Sequence, residues 1–165
     1  TFFDFNLEDK YQNLVSTDKI NNVFDYLVLN FVIHYAAKSK DVWDKWLNQI
    51  NLRSKSDSVL FVNFMNYDKL KNITTDGKFE INDTSCIELI EDKEFDQSLN
   101  QKWAKIKFDW VHSDPIIEPV LTYDFIVDQF SQYGWKLTNN YNLDEGKSNN
   151  NDFCSIYSWL TFTKI

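Results

Sequence analysis

The sequence predicts an α/β core carrying an antiparallel insertion, and three runs of residues carry that prediction. "VFDYLVLNFVIHY" (23–35) is a continuous β-branched and aromatic run of the kind found in a parallel strand buried on both faces. A buried helix is the alternative for that run. The next segment favours the strand, because Val42, Trp43, Trp46, Leu47 and Ile50 share one face at helical spacing while Lys40, Asp44, Lys45 and Asn48 fall on the other. "SVLFVNFM" (58–65) is again a short apolar run, so the order is strand, helix, strand with short joins, the pattern of a βαβ crossover.

The remaining elements are read in chain order. "TFFDFNL" at the start is a short aromatic run suited to a strand. "KFEI" (78–81), "CIELIE" (86–91) and "AKIKFDWV" (104–111) read as half-exposed strands of the antiparallel insertion. In the last, Ala104, Ile106, Phe108 and Trp110 alternate with Lys105, Lys107 and Asp109. "LTYDFIVDQFSQYG" (121–134) predicts a helix in which Thr122 caps the start, Ile126, Phe130 and Tyr133 share a face, and Gly134 supplies a left-handed stop. "WKLTNNYNL" and "SIYSWLTFTKI" are two closing strands separated by the polar loop "DEGKSNNND".

Composition narrows the function classes. A chain of 165 residues with 43% hydrophobic and 17% aromatic content can bury one core, so residues 1–165 are expected to form a single domain. With 25 Asp and Glu against 17 Lys and Arg, the net charge of −8 gives no general field for a phosphate backbone. Cys86 and Cys154 lie far apart with no CxxC and no histidine spacing, which argues against a zinc site or a disulfide scaffold. No apolar run approaches the roughly 20 residues that span a bilayer, so no membrane partner and a cytoplasmic location are expected.

Two polar residues stand out against apolar surroundings. His34, one of 2 histidines, lies between Ile33 and Tyr35 at the end of the first apolar run. Glu118 lies between Ile117 and Pro119 in "DPIIEPV", an unusual place for a carboxylate unless something pairs with it. On the residues alone, a core histidine and a solvent-facing strand Glu are equally open readings.

Residues 24–70, "FDYLVLNFVIHYAAKSKDVWDKWLNQINLRSKSDSVLFVNFMNYDKL", resemble the middle of the mRNA cap guanine-N7 methyltransferases. In that family an "FD" strand ends in a Phe-x-x-His-Tyr motif, a helix comes next, and the second strand leads to a short Asp-x-x-Lys-Leu-type turn. "EPVLTYDFIVDQFSQYGWKL" resembles the family's acidic residue followed by a helix ending in Tyr-Gly. "SIYSWLTFTKI" resembles the aromatic C-terminal strand of poxvirus-like and cytoplasmic-plasmid-like members.

The resemblance implies the C-terminal portion of a Rossmann-like class I methyltransferase. It further implies transfer of a methyl group from S-adenosylmethionine to N7 of the cap guanine at a capped 5′ end of RNA. Guanine N7 carries a free lone pair, so the reaction needs positioning and exclusion of water rather than a general base. By the resemblance, His34, Tyr35, Glu118 and Tyr157 face the cap guanine, and Glu118 would accept from its N1–H and exocyclic amine together. Asp4, Asn30 and Phe31 would bind the cofactor, although the family often has Gln where this chain has Asn30.

The family's Gly-rich loop comes after its first strand, and Gly77, Gly134 and Gly146 are in no such context. "TFFDFN" would therefore be the third strand. The implied partner is the N-terminal part of the same methyltransferase or a capping-enzyme subunit, and residues 1–165 alone are expected to be inactive. A catalytically inactive, methyltransferase-like partner subunit of a viral or plasmid capping enzyme is the second reading. An acidic immunity or inhibitor protein, prompted by composition alone, is the third.

Overall fold

The structure, a computed structural model, describes residues 23–90, 98–108, 114–141 and 153–165. The strand expected at 1–7, with Asp4, lies outside the described residues, as do Trp110 and the polar loop 144–152.

The expected βαβ unit is present. Strand β1 (Phe24–Asn30) pairs in parallel with β2 (Ser54–Met65), in register from Tyr26 opposite Val59 to Asn30 opposite Asn63. The crossover contains helix α2 (Lys40–Leu52), whose start is capped by the Ser39 hydroxyl accepting from the Val42 N–H. Its buried residues are Trp43, Trp46, Leu47 and Ile50, the face that the helical spacing predicted. They pack with Leu29 of β1 and with Leu60, Val62 and Phe64 of β2 into the main core. Full burial of each large side chain there contributes about 1.5–3 kcal/mol.

The first apolar run is not one strand, however. It ends at Asn30, Phe31 turns at a φ of 55°, and Ile33–Ala36 form a short helix, α1. The Phe31 N–H still donates to the Asn63 carbonyl at 3.3 Å, the last rung beside β2, before the chain leaves the sheet. Nor is β1 buried on both faces. Leu29 points into the core, whereas Tyr26 and Val28 are 70% and 65% exposed. Ile33, Ala36 and Ala37 account for the rest of the apolar stretch by burying one side of α1 and the turn after it in the core.

The two closing strands complete this sheet. Strand β7 (Trp135–Tyr141) and strand β8 (Tyr157–Lys164) pair antiparallel, and β8 also pairs antiparallel with β2, giving the order β1-β2-β8-β7. Helix α4 (Tyr123–Gln132) precedes β7, with the Thr122 hydroxyl accepting from the Phe125 N–H at its start and Gly134 at a φ of 75° beyond its end. Ile126 and Phe130 of α4 share the core formed with α2, so both helices cover the same face of the sheet.

The antiparallel insertion is a second sheet. Strands β3 (Lys78–Glu80), β4 (Cys86–Ile90), β5 (Lys102–Lys107) and β6 (Ile116–Val120) run in sequence order, each antiparallel to the next. Ala104 and Ile106 are buried and Lys105 and Lys107 exposed, as the alternation requires. Beyond the solvent-facing strand that was one reading of Glu118, no element was expected at 116–120, because Pro119 breaks the pattern of a strand. β6 stands at the end of this sheet, where a proline without an N–H is tolerated.

Between the sheets, the segment expected as a short turn forms helix α3 (Tyr67–Ile73). The Asn66 side chain caps it, accepting from the Asp68 N–H at 2.8 Å. Leu70 of α3, Phe79, Ile87, Ala104, Ile106, Val120 and Tyr157 form a second core between this helix, the insertion and the start of β8.

Candidate active site

The site residues gather where β1 ends. Asn30 is the last residue of β1, Phe31 makes the turn, and His34 and Tyr35 lie on α1, three and four residues further on. His34 and Tyr35 were expected on the strand itself. The structure corrects this, because the left-handed turn at Phe31 carries both rings off the sheet plane onto a helical turn. Their rings pack together, with centroids 4.0 Å apart at an angle of 48°. The Lys38 ammonium sits 5.4 Å from the Tyr35 ring centre, a cation–π distance.

Glu118 reaches the same place from the other sheet. On β6 it pairs with Ala104 and shares its face with Ile116 and Val120, which pack into the second core. A lone carboxylate on that face needs a partner, and His34 stands nearest. His34 Nε2 and Glu118 Oε2 are 3.3 Å apart, with only 18% and 14% of the two side chains exposed. The pair lies within ion-pair range but outside hydrogen-bond alignment, which leaves Nε2 without a hydrogen-bond partner.

Tyr157, at the first position of β8, meets Phe31 edge to face, with centroids 4.9 Å apart and the rings at 90°. The structure therefore sets His34 against both Tyr35 and Glu118 and joins Phe31 to Tyr157 at the turn before them. Asn30 is exposed at the strand end, and Phe31 is 44% exposed. Together they offer an accessible polar and aromatic wall at the carboxyl edge of a parallel strand pair, where open α/β sheets bind ligands. Asp4 lies outside the described residues.

Two residues at this edge were not picked out by sequence. Asn63, opposite Asn30, is 1% exposed, and neither its side-chain nitrogen nor its oxygen has a hydrogen-bond partner among the described residues. Lys69 on α3 donates from its ammonium to the Tyr157 carbonyl at 2.7 Å. An asparagine in a strand and a lysine in a short helix carry no sequence signal that separates them from their neighbours.

A groove of about 630 Å³ between α2 and α4, lined by Asn48, Leu99, Phe125, Gln129 and Tyr133 among others, holds none of these residues. Convergence of side chains, not the size of that groove, marks the candidate site. Among the described residues, no cluster of His, Cys, Asp and Glu could hold a metal ion, and no helix is long and apolar enough to cross a membrane.

No protein-family model matches the chain, and no curated protein matches it. Solved structures do. The chain is similar to the CcbJ methyltransferase from Streptomyces caelestis, with a TM-score of 0.57 and 12% identity over 90% of this chain and 64% of that one. It is similar to an S-adenosylmethionine-dependent methyltransferase from Clostridium acetobutylicum, with a TM-score of 0.53 and 14% identity over 91% and 62%. The glycopeptide N-methyltransferase MtfA, solved with S-adenosyl-L-methionine, gives a TM-score of 0.51 and 6% identity over 88% and 56%.

The fold is that of a Rossmann-like class I methyltransferase. The chain spans between 56% and 64% of the length of these three methyltransferases. The likeness is one of fold and extends to none of their substrates.

Proposed function

We propose that this chain is the substrate-binding portion of an S-adenosylmethionine-dependent mRNA cap guanine-N7 methyltransferase. The observation that carries the reading is the approach of Glu118 to His34 at 3.3 Å, with Tyr35 against the His34 ring, at the carboxyl end of β1. A half-buried carboxylate flanked by aromatic side chains can accept from guanine N1–H and the exocyclic amine together, an arrangement adenine cannot satisfy. It also favours the positive charge that develops on the base as N7 is methylated.

S-adenosylmethionine, when bound, supplies the activated methyl group. The described residues fit part of its pocket, since exposed Asn30 and Phe31 form a wall at the strand end, and Asp4 is the proposed adenine contact. For the rest of the cofactor we propose a partner segment carrying a glycine-rich loop, joined to this chain or separate. The chain's own part in catalysis is to orient the base and exclude water, because N7 needs no proton removed. His34 in this reading steadies the Glu118 carboxylate, and Tyr35, Tyr157 and Phe31 bound the base. The proposed RNA partner is a capped 5′ end.

The test is Glu118→Gln in the protein together with its cofactor-holding segment. The substitution puts an amide N–H where guanine presents its own donors. It is expected to cost about 2–4 kcal/mol of transition-state binding while S-adenosylmethionine affinity stays unchanged. Undiminished methylation of capped RNA by that variant removes Glu118 from the site.

A further inference from the structure

Tyr157 begins β8, and the structure holds its backbone from both sides. On one side β8 pairs with β2, Met65 opposite Tyr157, and the Ile156 carbonyl just before it accepts from the Asn66 N–H at 2.8 Å. Successive carbonyls of an extended chain point to opposite sides, so the Tyr157 carbonyl faces away from β2, toward the β7 side. The described pairing of β7 with β8 ends with Tyr141 opposite Trp159, short of that carbonyl. The Lys69 ammonium donates to that carbonyl in a charge-assisted hydrogen bond of 2.7 Å. One residue further, the Asn66 amide donates to the buried Ser158 hydroxyl at 2.9 Å.

Residues 66 to 69 thus grip residues 156 to 158 at three points. The side chain so held is the ring that packs edge-on against Phe31, itself fixed at a φ of 55°. We propose that Lys69 is a positioning residue of the substrate site: its ammonium fixes the backbone at Tyr157 and so sets where the Tyr157 ring stands. The proposal rests on the reading of Tyr157 as a cap-guanine contact.

The experiment compares Lys69→Met, which removes the donor and keeps the apolar stem, with Lys69→Arg, which keeps a charged donor. It is run in the protein together with its cofactor-holding segment. Gly134→Ala, at the far end of β8 beside Lys164, serves as the control for simple loss of stability. Two readouts are taken: KM and kcat for capped RNA, and the chemical shift of the carbon-labelled Tyr157 ring. Lys69→Met is expected to raise KM about tenfold with kcat within about twofold and to move the ring signal. Lys69→Arg restores both, and Gly134→Ala moves neither. If KM and ring signal stay unchanged in Lys69→Met while the unsubstituted protein methylates capped RNA, the positioning role is overturned. If the unsubstituted protein fails to methylate capped RNA, the cap reading falls, and the ring signal alone decides: a shift in Met that Arg reverses supports the clamp, and no shift overturns it.

Discussion

His34 and Glu118 stand 3.3 Å apart although one belongs to the turn that leaves the central sheet and the other to the last strand of the insertion. Neither sheet has a complete site by itself. The contact couples them, and a pair held in this way behaves as a unit when one partner is removed. A double-mutant cycle of His34→Ala and Glu118→Ala, read by urea denaturation, is expected to show a coupling energy of about 0.5–3 kcal/mol. Strict additivity of the two single substitutions would show that the proximity carries no energy.

Trp43 is fully buried where α2 meets α4, and its indole N–H donates to the Gln129 side-chain oxygen at 2.8 Å. Trp43→Ala empties an indole's volume in the main core and removes the donor to that oxygen. A loss of about 3–5 kcal/mol in urea or thermal unfolding is expected.

Two of the helix caps, Thr122 and Asn66, differ in what else they do. Thr122 only closes the first turn of α4, so Thr122→Ala is expected to cost about 1 kcal/mol. Asn66 caps α3 and also donates to the buried Ser158 hydroxyl, which is stranded when the amide is removed. Asn66→Ala is expected to cost about 2–4 kcal/mol, the cap plus the unsatisfied hydroxyl. Equal effects of the two substitutions in chemical denaturation would refute the dual role.

Gly134 takes a φ of 75°, and a Cβ there would lie 3.1 Å from the Lys164 ammonium. The lysine tip can move aside, but its bond to the Asn51 side chain at 2.5 Å and its bond to the Tyr133 carbonyl resist that shift. Gly134→Ala is expected to destabilise by about 1–2 kcal/mol for the left-handed backbone alone. Thermal unfolding that shows no loss would mean the turn relaxes to another conformation.

The legible parts of the fold were those in which one face is wet and the other dry. The spacing of Trp43, Trp46, Leu47 and Ile50 gave α2, and the alternation around Ala104 and Ile106 gave β5, because solvent imposes the period. The break at Phe31 was hidden, since no glycine or proline marks it and the residues on both sides are apolar whether strand or helix. Strand β6 was hidden for the opposite reason: Pro119 and Glu118 look unlike a strand, and only a place at the sheet's end makes them acceptable. At the site, His34 and Glu118 were visible because a polar group among apolar neighbours signals a partner. Lys69 and Asn63 depend on carbonyls and strands brought near by the tertiary fold, which no local pattern encodes.

The chain leaves the central sheet at Asn66 and comes back to it at Leu121, and these two residues are bridged side by side. The Tyr67 N–H donates to the Leu121 carbonyl at 2.9 Å, so the gate through which the insertion departs is also the gate through which it returns. With the ends held together, each doubling of the excursion's length adds only about 0.6 kcal/mol of loop-closure entropy. The insertion is thus joined to the central sheet at one place. Under the proposed role, the residue that chooses the base, Glu118, travels with it, while the strand end that meets the cofactor stays behind. Under that role, exchange of the insertion at this single joint would change the choice of base and leave the strand end in place.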